Sequence, residues 1–433
     1  MNRKSLLSVP VLLSILASAA LAQYDFEDPP INYNTAEVDN VISRLQEKID
    51  SDDVKMRYDA KTGYLKAVLE ALEVPVNSQG LVFSKTSFQL RRISPNTPRA
   101  VYFNDDVYVG FVVGGTVVEI AAADPKLGAV FYSLDQNPTR RPQFKRHTYE
   151  CTQCHAGSMT QGVPGHTVRS VYPGADGRAQ LQHGSFISTH ESPFKQRWGG
   201  WYVTGTHGDD HHMGNSSIRS TETPESLDRE RGSNVVSLED YFATSRYLSK
   251  HSDIVSLMVM EHQTQTHNAI TKANYQAIWT ARDCDVLNEA LERPENFQSE
   301  STIRRYESGA KNVVDHLLMV DEYRLKSPVT GTSAYTEEFA ALGPFDSQGR
   351  TLRQLDLQTR LFKYPCSYLI YSEAFDALPD SATGPIYRQL WEILTGKNTD
   401  EDYAHLSPKD RQAILEILRE TKDDLPKYWA SKK

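Results

Sequence analysis

Cys151-Thr152-Gln153-Cys154-His155 sets two thiols three residues apart with an imidazole directly behind the second. The spacing has a mechanical use. Each thiol can add across one vinyl group of a porphyrin, and the histidine that follows is then placed to coordinate the iron. The chemistry indicated is one covalently attached haem c, with Cys151 and Cys154 as thioether residues and His155 as the proximal iron ligand. Two other uses of the pair compete. A zinc site normally needs a second matched set of ligands, and no other C-x-x-C occurs in the chain. A redox dithiol would open a helix after a strand. Here Ala156-Gly157-Ser158 instead runs into the turn-rich Gln161-Gly162-Val163-Pro164-Gly165.

The sixth iron position decides what such a haem does, because a Met or His there suits electron transfer while an open face invites catalysis. Met159 stands only four residues beyond His155, too near to fold over the opposite face, and is expected to pack. The segment His207-Gly208-Asp209-Asp210-His211-His212-Met213 offers Met213, His211 and His212 as distal ligands, with a solvated loop as the plainer alternative. His262 is a further distal candidate, beside Glu261 in a strongly helical stretch. A lone histidine on such a helix more often serves as a hydrogen-bonded core residue.

Arg140, Arg141, Lys145, Arg146 and His147 form a basic patch just ahead of the motif and are expected to meet haem propionates, since Arg forks suit carboxylates. Arg91, Arg92 and Arg99 have the same reading with weaker support. The rest of the chain is acidic. Taking Arg3 and Lys4 from 47 basic residues leaves 45 against 56 acidic ones, which makes nucleic-acid binding an unsuitable role. A redox partner protein with a basic face fits this balance.

The motif resembles that of c-type cytochromes, although the rest of the chain is unlike their compact helical domain. Trp198-Gly199-Gly200-Trp201 and Tyr364-Pro365-Cys366-Ser367-Tyr368 resemble phrases of large bacterial cytochrome c-like proteins. That likeness implies haem and leaves the substrate open.

The elements that must position these residues fall into two regions. Residues 1–22 have the layout of a secretory signal peptide: Arg3 and Lys4, an apolar run from Leu6 to Leu21, and the small-residue exit Ala20-Leu21-Ala22. Export to the periplasm is expected, with no membrane span after cleavage. Residues 23–235 form the β-rich haem-attachment region. They open with a helix on Val38, Val41, Ile42, Leu45 and Ile49, capped by Asn34 and Glu37, and a second helix over 64–73. Strands follow at 101–103, 107–109, 117–120, 129–134, 167–171, 180–188 and 200–206, marked by β-branched and aromatic runs between turn residues. The polar stretch 214–234 is the expected boundary. Residues 236–433 are expected to be mostly helical, opening with a capping box at Ser237 and Asp240 and continuing over 254–281, 302–325, 354–374, 385–394 and 408–421. The fold class is α+β: an antiparallel, β-rich first half carrying the haem motif and a mostly α-helical second half. Cys284 and Cys366 are either a disulfide or two separate buried thiols.

The first function expected is electron transfer by an exported monohaem c-type cytochrome. A haem-dependent oxidoreductase of peroxidase or oxygenase type, acting on a small-molecule substrate, is the alternative, with a haem-based sensor beside it. For the enzyme, His207, His262 and Glu261 would be the first residues to substitute.

Overall fold

The computed structural model describes residues 25–219 and 221–430, so the expected leader at 1–22 lies outside the described residues. The fold is α+β, with an antiparallel sheet in the first half and helices in the second. The helices are α1 (Val41–Asp50), α2 (Leu65–Ala71), α3 (Tyr149–His155), α4 (Arg229–Gly232), α5 (Ile254–Ala290), α6 (Glu300–Leu317), α7 (Tyr335–Ala340), α8 (Glu373–Asp376), α9 (Asp380–Leu394) and α10 (Pro408–Thr421). The strands are β1 (Gly80–Val82), β2 (Arg99–Phe103), β3 (Val107–Val112), β4 (Val117–Asp124), β5 (Gly128–Asp135), β6 (Phe144–His147), β7 (Arg169–Val171), β8 (Ser185–Ile187) and β9 (Trp201–Tyr202).

Seven strands form one sheet in the order β6-β5-β4-β3-β2-β1-β9, and β7 pairs with β8 separately. The tight turns are written in side chains. Asn104 Oδ1 accepts the amides of Asp106 and Val107 to close β2 onto β3. Asp124 Oδ1 does the same with Lys126 and Leu127 between β4 and β5. Side chains alternate across the pleat. Ala100, Tyr102, Val109, Ile120, Tyr132 and Leu134 pack with Ile42 and Leu45 of α1 and Val68 of α2. Val101, Phe103, Tyr108 and Trp201 face the other way, into a core with Leu257 and Met258 of α5 and the later helices.

Helix α5 is the spine of the molecule. It runs for 37 residues, and Asp253 caps it by accepting the Val255 amide. Nearly every residue from Ile254 to Tyr275 is buried, polar ones included, so each buried polar group needs a partner. Gln263 donates to Asn104 O and Tyr108 Oη, both at 2.8 Å. Tyr275 Oη donates to Leu127 O at 2.9 Å. The helix thereby holds the turns of the sheet in place. No described helix is long and apolar enough to cross a membrane.

Several local expectations give way. The cap of α1 is Asn40, which accepts from Ile42 and Ser43 while Ser43 Oγ accepts the Asn40 amide. Asn34 and Glu37 lie ahead of the helix, because Asp124 holds Asp39 and Asn40 at its start. Ser237 and Asp240 open no helix; Leu238, Phe242 and Tyr247 lie buried in an irregular run against the sheet. Residues 354–374 are mostly non-helical. Asp356 Oδ1 gathers the amides of Gln358, Thr359 and Arg360 into a turn, Leu357 takes a left-handed φ of 57°, and Pro365 interrupts the rest. The helix expected at 302–325 stops at Leu317, where Met319 and Asp321 follow with φ of 56° and 59°. Strands β6 and β1 and helix α7 were not anticipated.

Candidate haem-attachment site

Strand β6 delivers the chain into α3. Phe131 of β5 lies opposite His147, and His147 Nε2 meets Ser133 Oγ at 2.7 Å, which fixes the exit of the strand. Thr152 is buried inside α3, and its hydroxyl donates back to Thr148 O at 3.1 Å. Cys151, Cys154 and His155 then share one face of the helix through their three- and four-residue spacing. Cys154 is exposed, Cys151 and His155 are half-buried, and both thiols are free.

The chain after α3 returns to its end. The Gly165 amide donates to His155 O at 2.8 Å, and His155 Nδ1 donates to Gly165 O at 3.0 Å. A carbonyl only accepts, so the hydrogen is on Nδ1 and the lone pair on Nε2. Among the described residues Nε2 makes no hydrogen bond, and the Phe131 ring packs 4.9 Å from the imidazole. Burial holds the proton affinity of His155 below the ordinary histidine value, with the Gly165 carbonyl opposing it. A neutral imidazole with Nδ1 occupied and Nε2 free has the form in which histidine ligates a metal.

The return loop is tied down on three sides. Pro164 O accepts the Ala129 amide of β5 at 2.9 Å, Asn312 of α6 donates to Gln161 Oε1 at 3.0 Å, and Asn268 of α5 binds the backbone of His166. A Cβ on Gly165 would stand 2.2 Å from Asn268 Oδ1, so the close approach requires glycine there. On the sheet face that carries Phe131, Arg99 and Glu119 form an ion pair at 2.8 Å, and Gln89 donates to Glu119 at 3.0 Å.

The two free thiols and Nε2 of His155 lie together on α3, the donor set that a covalently held haem would take. Burial, with Glu150 adding to it, pushes the Cys151 thiol up to about 11, whereas a redox dithiol needs an acidified one. Among the described residues no group of three or more His, Cys, Asp or Glu side chains is arranged to hold a metal ion.

The expected distal ligands lie in other surroundings. His211 is exposed, with Nδ1 at 3.0 Å from Ser233 Oγ. His212 is buried, its Nδ1 accepts the Gly214 amide at 3.0 Å, and its ring packs on Trp198 and His207. Met213 is fully buried, and its sulfur receives the Ser170 hydroxyl at 3.7 Å. His262 sits in the helical core between Ser367 Oγ, at 2.7 Å, and His190 Nδ1, at 3.5 Å. Among the described residues none of these four hydrogen-bonds or stacks with the motif. Glu261 is buried against Arg197 at 2.9 Å.

Most of the basic patch is spent on the structure itself. Arg140 and Arg141 pair with Asp52, and Arg146 points to the opposite sheet face, where it donates to Ala36 O at 2.9 Å and lies over Tyr33. Lys145, Arg91 and Arg92 are exposed. Cys284 and Cys366 form no disulfide; Cys366 is fully buried and Cys284 lies near Phe297 O, at 3.1 Å. Sequence reasoning missed Gly165, Phe131 and Asn268. The available signal for Asn268 was a polar residue within a helix too buried to leave it unpaired. Comparison with protein-family models, curated proteins and solved structures finds no match for this chain.

Proposed function

We propose that this chain is an exported monohaem c-type cytochrome that transfers electrons to or from a redox partner protein in the periplasm. One observation carries the reading: His155 donates Nδ1–H to Gly165 O, which leaves Nε2 free on the same helical face as two unpaired thiols. Cys151 and Cys154 would hold the porphyrin by adding their S–H bonds across its vinyl groups, and His155 would ligate the iron. Bound haem supplies a one-electron redox centre. Phe131 packs on His155, while Gln153, Cys154 and Tyr149 are exposed, so the attachment helix stands at the surface where a partner can approach. The acidic balance of the chain favours a partner with a basic face.

The haem-enzyme alternative requires a general acid or base beside an open iron. Glu261 and His262 are held by Arg197 and by Ser367 and His190 within the core, which favours electron transfer over that alternative.

The test is expression with a periplasmic c-type maturation system. Haem that survives denaturing electrophoresis, and is lost on replacing Cys151 and Cys154 by Ala, is the expected result. A low-spin, six-coordinate spectrum in both oxidation states supports electron transfer, and high-spin iron that binds peroxide supports the enzyme. A chain that takes no covalent haem overturns the proposal.

A further inference from the structure

Asn268 lies within α5, fully buried, and its whole amide is spent on one residue of the return loop. Its Oδ1 accepts the His166 amide at 2.9 Å, and its Nδ2 donates to His166 O at 2.8 Å. A side-chain amide that engages both backbone groups of one residue fixes the peptide planes on either side. The plane before His166 contains the Gly165 carbonyl, the group that takes the Nδ1 hydrogen of His155. Gly165 is pressed directly against Asn268, since even a methyl there would meet Oδ1 at 2.2 Å and Cγ at 2.9 Å. The opposite side of the loop is held by the bond from Ala129 to Pro164 O.

We propose that Asn268 is a positioning residue for His155: by clamping His166 it aims the Gly165 carbonyl at Nδ1 and so presents Nε2 as the free, ligating nitrogen. The inference rests on the reading of His155 as an iron ligand and assigns a reason for the helical half of the chain to be coupled to the motif. An unconstrained neutral histidine favours hydrogen on Nε2, the nitrogen that iron requires bare. Removing the clamp therefore loosens the carbonyl, returns part of the population to the wrong tautomer and weakens the iron bond. Direct hydrogen-bond partners of a ligating histidine typically change metal affinity by about 10–100-fold, which bounds the effect of Asn268 acting through Gly165 O.

The experiment compares the full-length chain with Asn268→Ala and Asn268→Asp. Asp keeps the size of Asn and the acceptor for the His166 amide but lacks the donor to His166 O. In the haem-free protein, nitrogen NMR of His155 should show Nδ1–H in the wild type, a mixture in Asn268→Ala and an intermediate state in Asn268→Asp. In the haem-loaded protein both variants should keep their thioether bonds while the histidine–iron signature weakens and the reduction potential shifts. A His155 that keeps its Nδ1–H tautomer and an unshifted potential in the folded variants overturns the inference. Where Asn268→Ala fails to fold, the near-isosteric Asn268→Asp decides it. The tautomer readout needs no haem, so absence of covalent haem strikes the functional reading alone.

Discussion

Gly165→Ala and Gly157→Ala place the same methyl at two points of one loop and should have opposite consequences. Neither glycine has a positive φ, so the difference between the two substitutions comes from what the new Cβ meets. At Gly157 the new Cβ meets nothing within 4 Å. It restricts only the unfolded chain, which leaves stability unchanged or raised by about 0.4–1 kcal/mol. At Gly165 the Cβ arrives 2.2 Å from Asn268 Oδ1 and 2.9 Å from Thr160 Cβ, both on buried groups with little room to retreat. Overpacking of this kind costs about 1–3 kcal/mol. Displacing the loop also weakens the bond from His155 to Gly165 O, worth about 1 kcal/mol. The sum is a loss of roughly 2–4 kcal/mol at Gly165. Urea unfolding of the haem-free proteins reads it as a shifted midpoint at constant slope. Equal stabilities for the two variants would refute the claim that this loop is locked against α5.

Burial, reinforced by His316, holds His190 down to about 3 in the folded protein. The unfolded chain then binds the extra proton first, and stability is lost as pH falls from about 6.5 toward 3, by up to about 5 kcal/mol. Unfolding midpoints at pH 7 and pH 4 should diverge for the wild type and less for His190→Gln; parallel behaviour would count against a buried neutral His190. In the haem-free chain, alkylation should find the exposed Cys154 first. Cys151 should react slowly until pH nears 11, and Cys366, pushed up to about 12 by burial, only after unfolding. Mass mapping of a pH series checks the order. Met213→Ala should cost about 2–5 kcal/mol as a core truncation and leave the haem spectrum unchanged. A changed spectrum would instead make Met213 the sixth ligand.

The hairpins of the sheet were legible because β-branched and aromatic runs such as Val107-Tyr108-Val109 alternate with Asn104-Asp105 and Gly114-Gly115, turn chemistry that acts within a few residues. The motif is equally local, five consecutive residues that the structure sets on the single short helix α3. What escaped depends on distance along the chain. The α1 cap moved to Asn40 because Asp124, far away in sequence, holds it. Arg146 looked available for propionates, yet the strand pleat turns it toward Tyr33. The apolar run near Tyr368 looked helical by composition, but its residues fill the core from turns fixed by Asp356 and Pro365. Asn268 carried only a generic signal, since no local pattern says which backbone a buried amide will bind.

The clamp on the return loop joins residues 102 positions apart. At about 5–20 residues per second the chain makes His166 roughly 5–20 s before it makes Asn268. Contacts of such long range also form late, because their loop-closure entropy must be met before they stabilise anything. During that interval the return loop exists without the residue that clamps it. The two thiols belong to the earliest completed part of the site and the oriented nitrogen to the last. The helix that carries the motif is thus complete before the residue that fixes the orientation of its imidazole has been made.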